Sequence, residues 1–249
     1  MIKKDYHVHT TFSDGKSTAE EMVRAAIGLG MTEIGFSEHS DMPLDVGWAM
    51  KREAYDAYRS EIERLRRAYY GKIHILCGIE RDIDSNDRDE KFDYVIGSVH
   101  MLEKNGIRSG IDHSPETFAY AMNVLYDGDV YALCEDYYAK LMCIGDVKPD
   151  IIGHFDLVTK FNEGGKLFDE DNPRYTAARK RAMDALLKLK VPFEINTGAI
   201  FRGYRTSPYP SGSAREYIRA NGGKFILSSD SHRTDSLLCR FDEYEHLLY

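Results

Sequence analysis

Short, nearly continuous apolar runs alternate along this chain with longer stretches whose apolar residues recur at helical spacing. The runs are Glu33–His39, Ile73–Glu80, a segment within Phe92–His100, Asp150–Asp156, Pro192–Thr197 and Lys224–Ser229. A first short strand opens at Asp5 and runs into a loop by Asp14. Strands this apolar are buried on both faces, as in parallel sheets covered by helices. The spacing predicts helices over Ser17–Gly30, Lys51–Tyr70, Ser114–Met142, Pro173–Lys190 and Ser211–Asn221. Ser17 is the expected cap of the first, with Glu20 as its capping-box partner and Gly28 or Gly30 as its stop. Asp127-Gly128-Asp129 should break the third, and Gly222-Gly223 should end the last. Asp41–Met50, which carries the only tryptophan, Trp48, and residues 101–113 read as loops. Strand and helix alternate throughout, and no linker, repeat or low-complexity segment interrupts them. The expectation is an α/β fold, a parallel barrel in one domain over residues 1–249.

Polar residues interrupt the apolar runs at a repeated address. His7 and His9 lie two apart on the first strand, so their imidazoles share a face. Asp14 follows in the loop, His39 ends the second strand, Glu80 the third and His100 the fourth. His154 lies near the end of the fifth strand, and Asp230 and His232 follow the seventh. In a parallel barrel all of these ends lie on one rim, where active sites are built. Six of the nine histidines occupy such positions. His74, His113 and His246 read as surface or hydrogen-bonded residues, although the loop holding His113 could reach the rim. Imidazoles and carboxylates without thiolates suit Zn, Mn or Fe. Cys77, Cys134, Cys143 and Cys239 are scattered, form no CxxC pair, and read as reduced thiols of a cytoplasmic protein.

The charge balance, 33 basic against 41 acidic residues, argues against a nucleic-acid binder that relies on broad electrostatics. No apolar run of about 18 residues suggests a membrane span, and Met-Ile-Lys-Lys leads into polar sequence rather than a secretory leader. A small-molecule partner is expected, with neither nucleic acid nor membrane, and the oligomeric state stays open.

Seven segments together resemble the PHP (polymerase and histidinol phosphatase) superfamily. They are His7-Val8-His9 with Ser13-Asp14-Gly15, Glu38-His39-Ser40, Gly78-Ile79-Glu80, Gly97 to His100, Gly153-His154-Phe155-Asp156, and Ser229 to His232. The resemblance spans essentially the whole chain. Asp112–Ser114, Tyr137-Tyr138, His154 to Leu157 and Glu194 to Thr197 are similar to its histidinol-phosphate phosphatase branch. It implies a distorted (β/α)7 TIM-like barrel with three divalent metal ions, and catalytic roles for Glu80, Asp230 and His232. By motif, His7, His9, Glu80 and Asp230 would hold the first ion. Glu80 would bridge to a second held by His100 and His154, and Asp14, His39 and His232 would hold the third. Such a cluster suits phosphomonoester hydrolysis by a metal-bridging hydroxide. No GxSxG elbow or Walker loop offers another route. Asp156, two residues past His154, reads either as an orienting carboxylate or as an ordinary strand-end residue.

Substrate selection falls to residues beyond the ligands. The family's phosphate-gripping arginine is best matched by Arg202, with Arg205 as a partner or replacement and Lys160 as a further candidate. Asp41, Asp82 or Asp156, with Trp48 or a tyrosine, could face the amine and imidazole of histidinol phosphate, although core packing accounts for most tyrosines of residues 120–138. The leading reading is a histidinol-phosphate phosphatase of histidine biosynthesis. The alternatives are a PHP phosphoesterase acting on phosphotyrosine or a nucleotide, an exonuclease, which the acidic balance disfavours, and a catalytically silent scaffold, which would be expected to have lost ligands.

Overall fold

The computed structural model describes residues 2–44, 46–88 and 90–249. Seven parallel strands form one sheet: β1 (Lys4–Asp5), β2 (Glu33–His39), β3 (His74–Asp82), β4 (Val95–Ser98), β7 (Ile151–Ile152), β8 (Phe193–Asn196) and β9 (Phe225–Ser228), neighbouring in that order. A parallel bridge between Val8 and Ser231 brings the two edges together, with His9 N donating to Ser231 O and Ser231 N to His7 O. The result is a nearly closed barrel, as expected for this pattern.

Its helices are α1 (Ala19–Gly28), α2 (Tyr55–Ala68), α3 (Pro115–Tyr126), α4 (Val130–Leu141), α5 (Pro173–Leu186), α6 (Gly198–Phe201), α7 (Gly212–Ala220) and α8 (Phe241–Tyr244). One buried cluster joins Met22, Val23 and Ala26 of α1 and Tyr58, Ile62 and Leu65 of α2 to Ile34, Phe36, Ile75 and Ile79. A second joins α3, α4 and α5 to the β7–β8 side. Alternate residues on the strands point inward, where Tyr94, Ile96 and Ile151 pack with Tyr6, Leu76 and Ile226. Tyr94 fills the interior, its hydroxyl near the carbonyls of Tyr6 and Phe36. A Cβ on Gly35 would come within 2.5 Å of that hydroxyl and one on Gly78 within 2.3 Å of the ring, so only glycine fits there.

Several boundaries differ from the sequence expectation. The first helix is capped by Thr18 with Glu21 as the reciprocal partner, one residue later than Ser17 and Glu20. Residues 101–110 are no loop but a hairpin, β5 (Met101–Lys104) with β6 (Ile107–Gly110). Its Asn105-Gly106 turn has positive φ at both residues, 53° and 77°, as a two-residue hairpin turn requires. The fifth barrel strand is only Ile151–Ile152, so His154 lies in the loop beyond it. Tyr126, Tyr137 and Tyr138 are core residues. Among the described residues no helix is long and apolar enough to cross a membrane.

Candidate metal centre

Register between neighbouring strands brings the rim residues together. His39 and Glu80 are direct partners across β2 and β3. Around Glu80, Oε1 lies 2.9 Å from His154 Nε2 and 3.3 Å from His100 Nε2. Its Oε2 lies 2.7 Å from His39 Nδ1, 3.5 Å from His7 Nε2 and 3.6 Å from His9 Nε2. Asp230 Oδ1 is 3.7 Å from His7 Nε2, 3.5 Å from His9 Nε2 and 3.6 Å from His232 Nδ1. Asp14 Oδ1 is 3.2 Å from His232 Nε2 and 3.7 Å from His39 Nε2.

All nine predicted ligands therefore converge. They form four overlapping groups: His9, Asp14, His39 and His232; His7, His9 and Asp230; His7, Glu80 and His154; and His39, Glu80 and His100. Within each group the ligand atoms lie within 4.8 Å of one another, close enough to share an ion. The donor set fits such ions. His7 Nε2, both ring nitrogens of His9 and Asp14 Oδ1 are buried with no hydrogen-bond partner. Each such orphan costs about 1–3 kcal/mol, and a bound cation removes the cost.

Electrostatics favours the ligating forms of several residues. Burial works against ionising Glu80, but His100, His39 and His7 hold its carboxyl well below the usual range. Burial likewise opposes ionisation of Asp230, and Arg202 and His7 outweigh it. For His9, burial reinforced by His39 and His232 lowers the imidazole well below its ordinary value, keeping it neutral. Asp230 has a positive φ of 51°, an uncommon conformation for a residue with a Cβ and one concentrated at functional sites.

Further carboxylates hold the ligands in place. Glu38, on the outer face of β2, accepts from Thr10 N, Thr10 Oγ1 and Ser13 Oγ, which pins the loop between His9 and Asp14. Asp82 accepts from His100 N at 2.9 Å and lies 3.1 Å from His100 Nδ1. Glu194 lies 2.7 Å from His7 Nδ1. Of the three acids expected to face a substrate amine, Asp82 is thus committed to His100. Asp156 is buried and accepts from Ser211 N, and neither it nor Asp41 lines the cavity.

The cluster floors a cavity of about 430 Å3. Trp48, Asp112, His113, Lys160, Arg202 and Tyr204 are among its walls. Trp48 stands edge-on to His39 at 4.9 Å. Lys160 Nζ donates to Asp112 O at 2.6 Å and lies 3.2 Å from Asp112 Oδ2. Arg202, at the end of α6, pairs with Asp230 Oδ2 at 2.7 Å. A Cβ on Gly198 would come within 2.7 Å of that guanidinium and 2.9 Å of Asp230, so the pair needs glycine there. Arg205 is the correction to the predicted phosphate set. It does not line the cavity, because its guanidinium is buried and bonded to Thr159 O and Oγ1 and to Ser207 O. The sequence does not mark Phe201, Tyr204 and Lys16 as lining the site, whereas Asp112 and His113 belong to the segment Asp112–Ser114 that resembles the phosphatase branch.

Comparison with known proteins agrees with this geometry. Residues 5–198 match the PHP domain family. A protein of Deinococcus radiodurans named "Probable histidinol-phosphatase" is 30% identical, over 95% of this chain and 89% of its own length. The solved structure of hisK from Listeria monocytogenes superposes with a TM-score of 0.84 at 22% identity, covering 97% of this chain and 100% of that one. A histidinol phosphate phosphatase from Lactococcus lactis, solved with zinc, L-histidinol and phosphate, gives 0.64 at 23% identity, covering 99% and 92%.

Proposed function

The chain belongs to the PHP domain family, and we propose that it is the phosphatase that hydrolyses L-histidinol phosphate to L-histidinol and phosphate in histidine biosynthesis. The observation that carries this reading is the cluster beneath the cavity, where nine imidazole and carboxylate groups from across the barrel rim meet in four overlapping groups whose ligating atoms are in reach of one another. The relatives it matches end to end carry that activity in their names.

Within this reading three divalent ions, of Zn, Mn or Fe, would be held by His7, His9, Glu80 and Asp230, by Glu80, His100 and His154, and by Asp14, His39 and His232. Such ions bring the pKa of water toward neutrality and take up charge on phosphate and on the leaving alkoxide. The protein supplies the rest. Arg202 holds Asp230 through Nη2 to Oδ2 and Nη1 to the main-chain oxygen while lining the cavity, which puts its positive charge beside a phosphate bound there. Lys160 also lines the cavity and adds positive charge there. Asp112 is the one cavity-lining carboxylate, among the described residues, that belongs to none of the four ligand groups. Although burial favours its neutral form, Lys160, His100 and His154 hold its pKa below the ordinary value, so it stays anionic and suits the substrate's ammonium. Trp48, Leu157, Phe201 and Tyr204 give an apolar wall for the carbon chain and ring.

A steady-state panel tests the assignment. L-histidinol phosphate should have a kcat/KM well above p-nitrophenyl phosphate, phosphotyrosine and a nucleotide. A higher value for phosphotyrosine or a nucleotide would leave only a metal phosphoesterase of the family.

A further inference from the structure

Glu194 projects from β8 into the barrel interior and is fully buried. A buried carboxylate in an apolar strand needs a reason, since it must be fully satisfied to be tolerated. Its two oxygens have separate tasks. Oε1 lies 2.7 Å from His7 Nδ1. Oε2 accepts from the backbone N–H of His154 at 3.0 Å and from Asn196 Nδ2 at 3.1 Å. The residue thus touches one ligand carrier through its ring and another through its main chain. These two carriers stand with Glu80 in one ligand group.

Each contact does something the backbone ladder leaves undone. A carboxylate accepts only, so the bond to His7 fixes the hydrogen on Nδ1 and turns the Nε2 lone pair toward Glu80 and Asp230. His154 lies beyond β7, a strand of two residues joined to β8 by the single pair Ile152↔Phe193. The Glu194 contact therefore continues past the last ladder pair and sets where His154 begins. We propose that Glu194 is a positioning residue, a single carboxylate that fixes the tautomer of His7 and the height of His154 together, and so shapes the two neighbouring ion sites that Glu80 joins. This rests on the metal-dependent reading above.

Glutamine at 194 is nearly isosteric but cannot serve both neighbours. If its carbonyl oxygen accepts from His7, its NH2 faces the His154 N–H and the Asn196 amide. If it faces the other way, its NH2 donates to His7 Nδ1 and drives the ring hydrogen to Nε2, where no metal can bind.

The test is metal affinity of metal-stripped protein, titrated with zinc or manganese and followed by calorimetry, with circular dichroism at the same temperature to establish that the chain is folded. Folded Glu194→Gln should bind metal at these two sites about 10–100-fold more weakly than the wild type, the range for lost outer partners of metal ligands. Unchanged affinity in the folded variant would overturn the proposal, as would a defect seen only as earlier melting of the metal-free protein. A wild type that binds no metal would instead overturn the function itself. Should the variant not fold, ring-15N histidine spectra of the wild type, assigned by the signal lost in His7→Gln, still decide. The expected state is Nδ1 protonated in His7, and the opposite tautomer would refute the inference.

Discussion

The ligand ring at the barrel rim and the cavity wall above it lie side by side but are built by different means. Apart from Asp14, which a loop after His9 carries, ring residues come from the strands or from within four residues of their ends, as with His39 opposite Glu80. Most are almost entirely buried, from His7 and His9 at 0% to His39 at 8%. The wall comes from connecting segments: Trp48 from the stretch after β2, Asp112 and His113 after β6, and Phe201 and Tyr204 in and after α6. Phe201 and Tyr204 keep 39% and 37% of their surface exposed. A scaffold that places its chemistry on ladders and its recognition on loops can change substrate without disturbing the reacting centre. Changes in the ring should therefore harm every substrate alike, and changes in the wall should discriminate between substrates.

The largest effect expected is from Glu80→Gln. This carboxylate sits among five imidazoles and belongs to two ligand groups. Its loss should lower kcat by more than about 1,000-fold, beyond what one oxyanion donor contributes, equally for L-histidinol phosphate and p-nitrophenyl phosphate. Elemental analysis of the purified variant should show a deficit of metal. A variant that kept its ions and lost only one substrate would erase the distinction between ring and wall.

Arg202 joins the two regions, since it holds Asp230 of the ring and faces the cavity. Arg202→Ala should cost about 1.5–3 kcal/mol in kcat/KM, the range for charge-assisted hydrogen bonds. Arg202→Lys should recover part of this, because an ammonium cannot bridge Asp230 and phosphate as a planar fork does. All phosphomonoesters should lose comparably, and unchanged kinetics in the alanine variant would remove Arg202 from phosphate binding.

Asp112→Asn should show the opposite signature, a loss confined to substrates that carry an ammonium. About 1.5 kcal/mol, near tenfold in kcat/KM, is expected for L-histidinol phosphate, with little change for p-nitrophenyl phosphate. Equal losses on both would mean that Asp112 acts only through Lys160, which it also contacts.

The same division governs what could be read from the residues alone. Ligands at strand ends are legible because parallel strands place every C-terminal end on one rim, and alternation fixes which side chains face in. Their orienting carboxylates are not. Asp82 reads as one of three acids that could face substrate and instead holds His100, and Glu194 stands only as part of a motif. A strand pattern gives the face of a side chain, but not which atom across the barrel it meets. The hairpin at residues 101–110 did carry a signal, the Asn105-Gly106 pair, but the polar residues around it read as loop. Loop residues have no period at all, so Asp112 stood only within a motif and no pattern distinguished it from Arg205 as a cavity residue.

The smallest effect is expected at Trp48. Its ring stands edge-on to His39 at 4.9 Å and tilted to His100 at 5.6 Å, so it borders the ring residues without being one of them. From that position it can cover a substrate that carries both a cation and an aromatic ring, but it has no donor suited to grip phosphate. Trp48→Ala should therefore raise KM for L-histidinol phosphate by an amount worth about 0.5–1 kcal/mol, the exposed cation–π range, with kcat nearly unchanged. Trp48→Phe should retain most of the contact, because a phenyl face still attracts a cation. If Trp48 instead shapes the ring by holding His39 in place, Trp48→Ala will lower kcat on p-nitrophenyl phosphate as well. That outcome would move Trp48 from the wall into the ring, and steady-state kinetics on the two substrates separates the two roles.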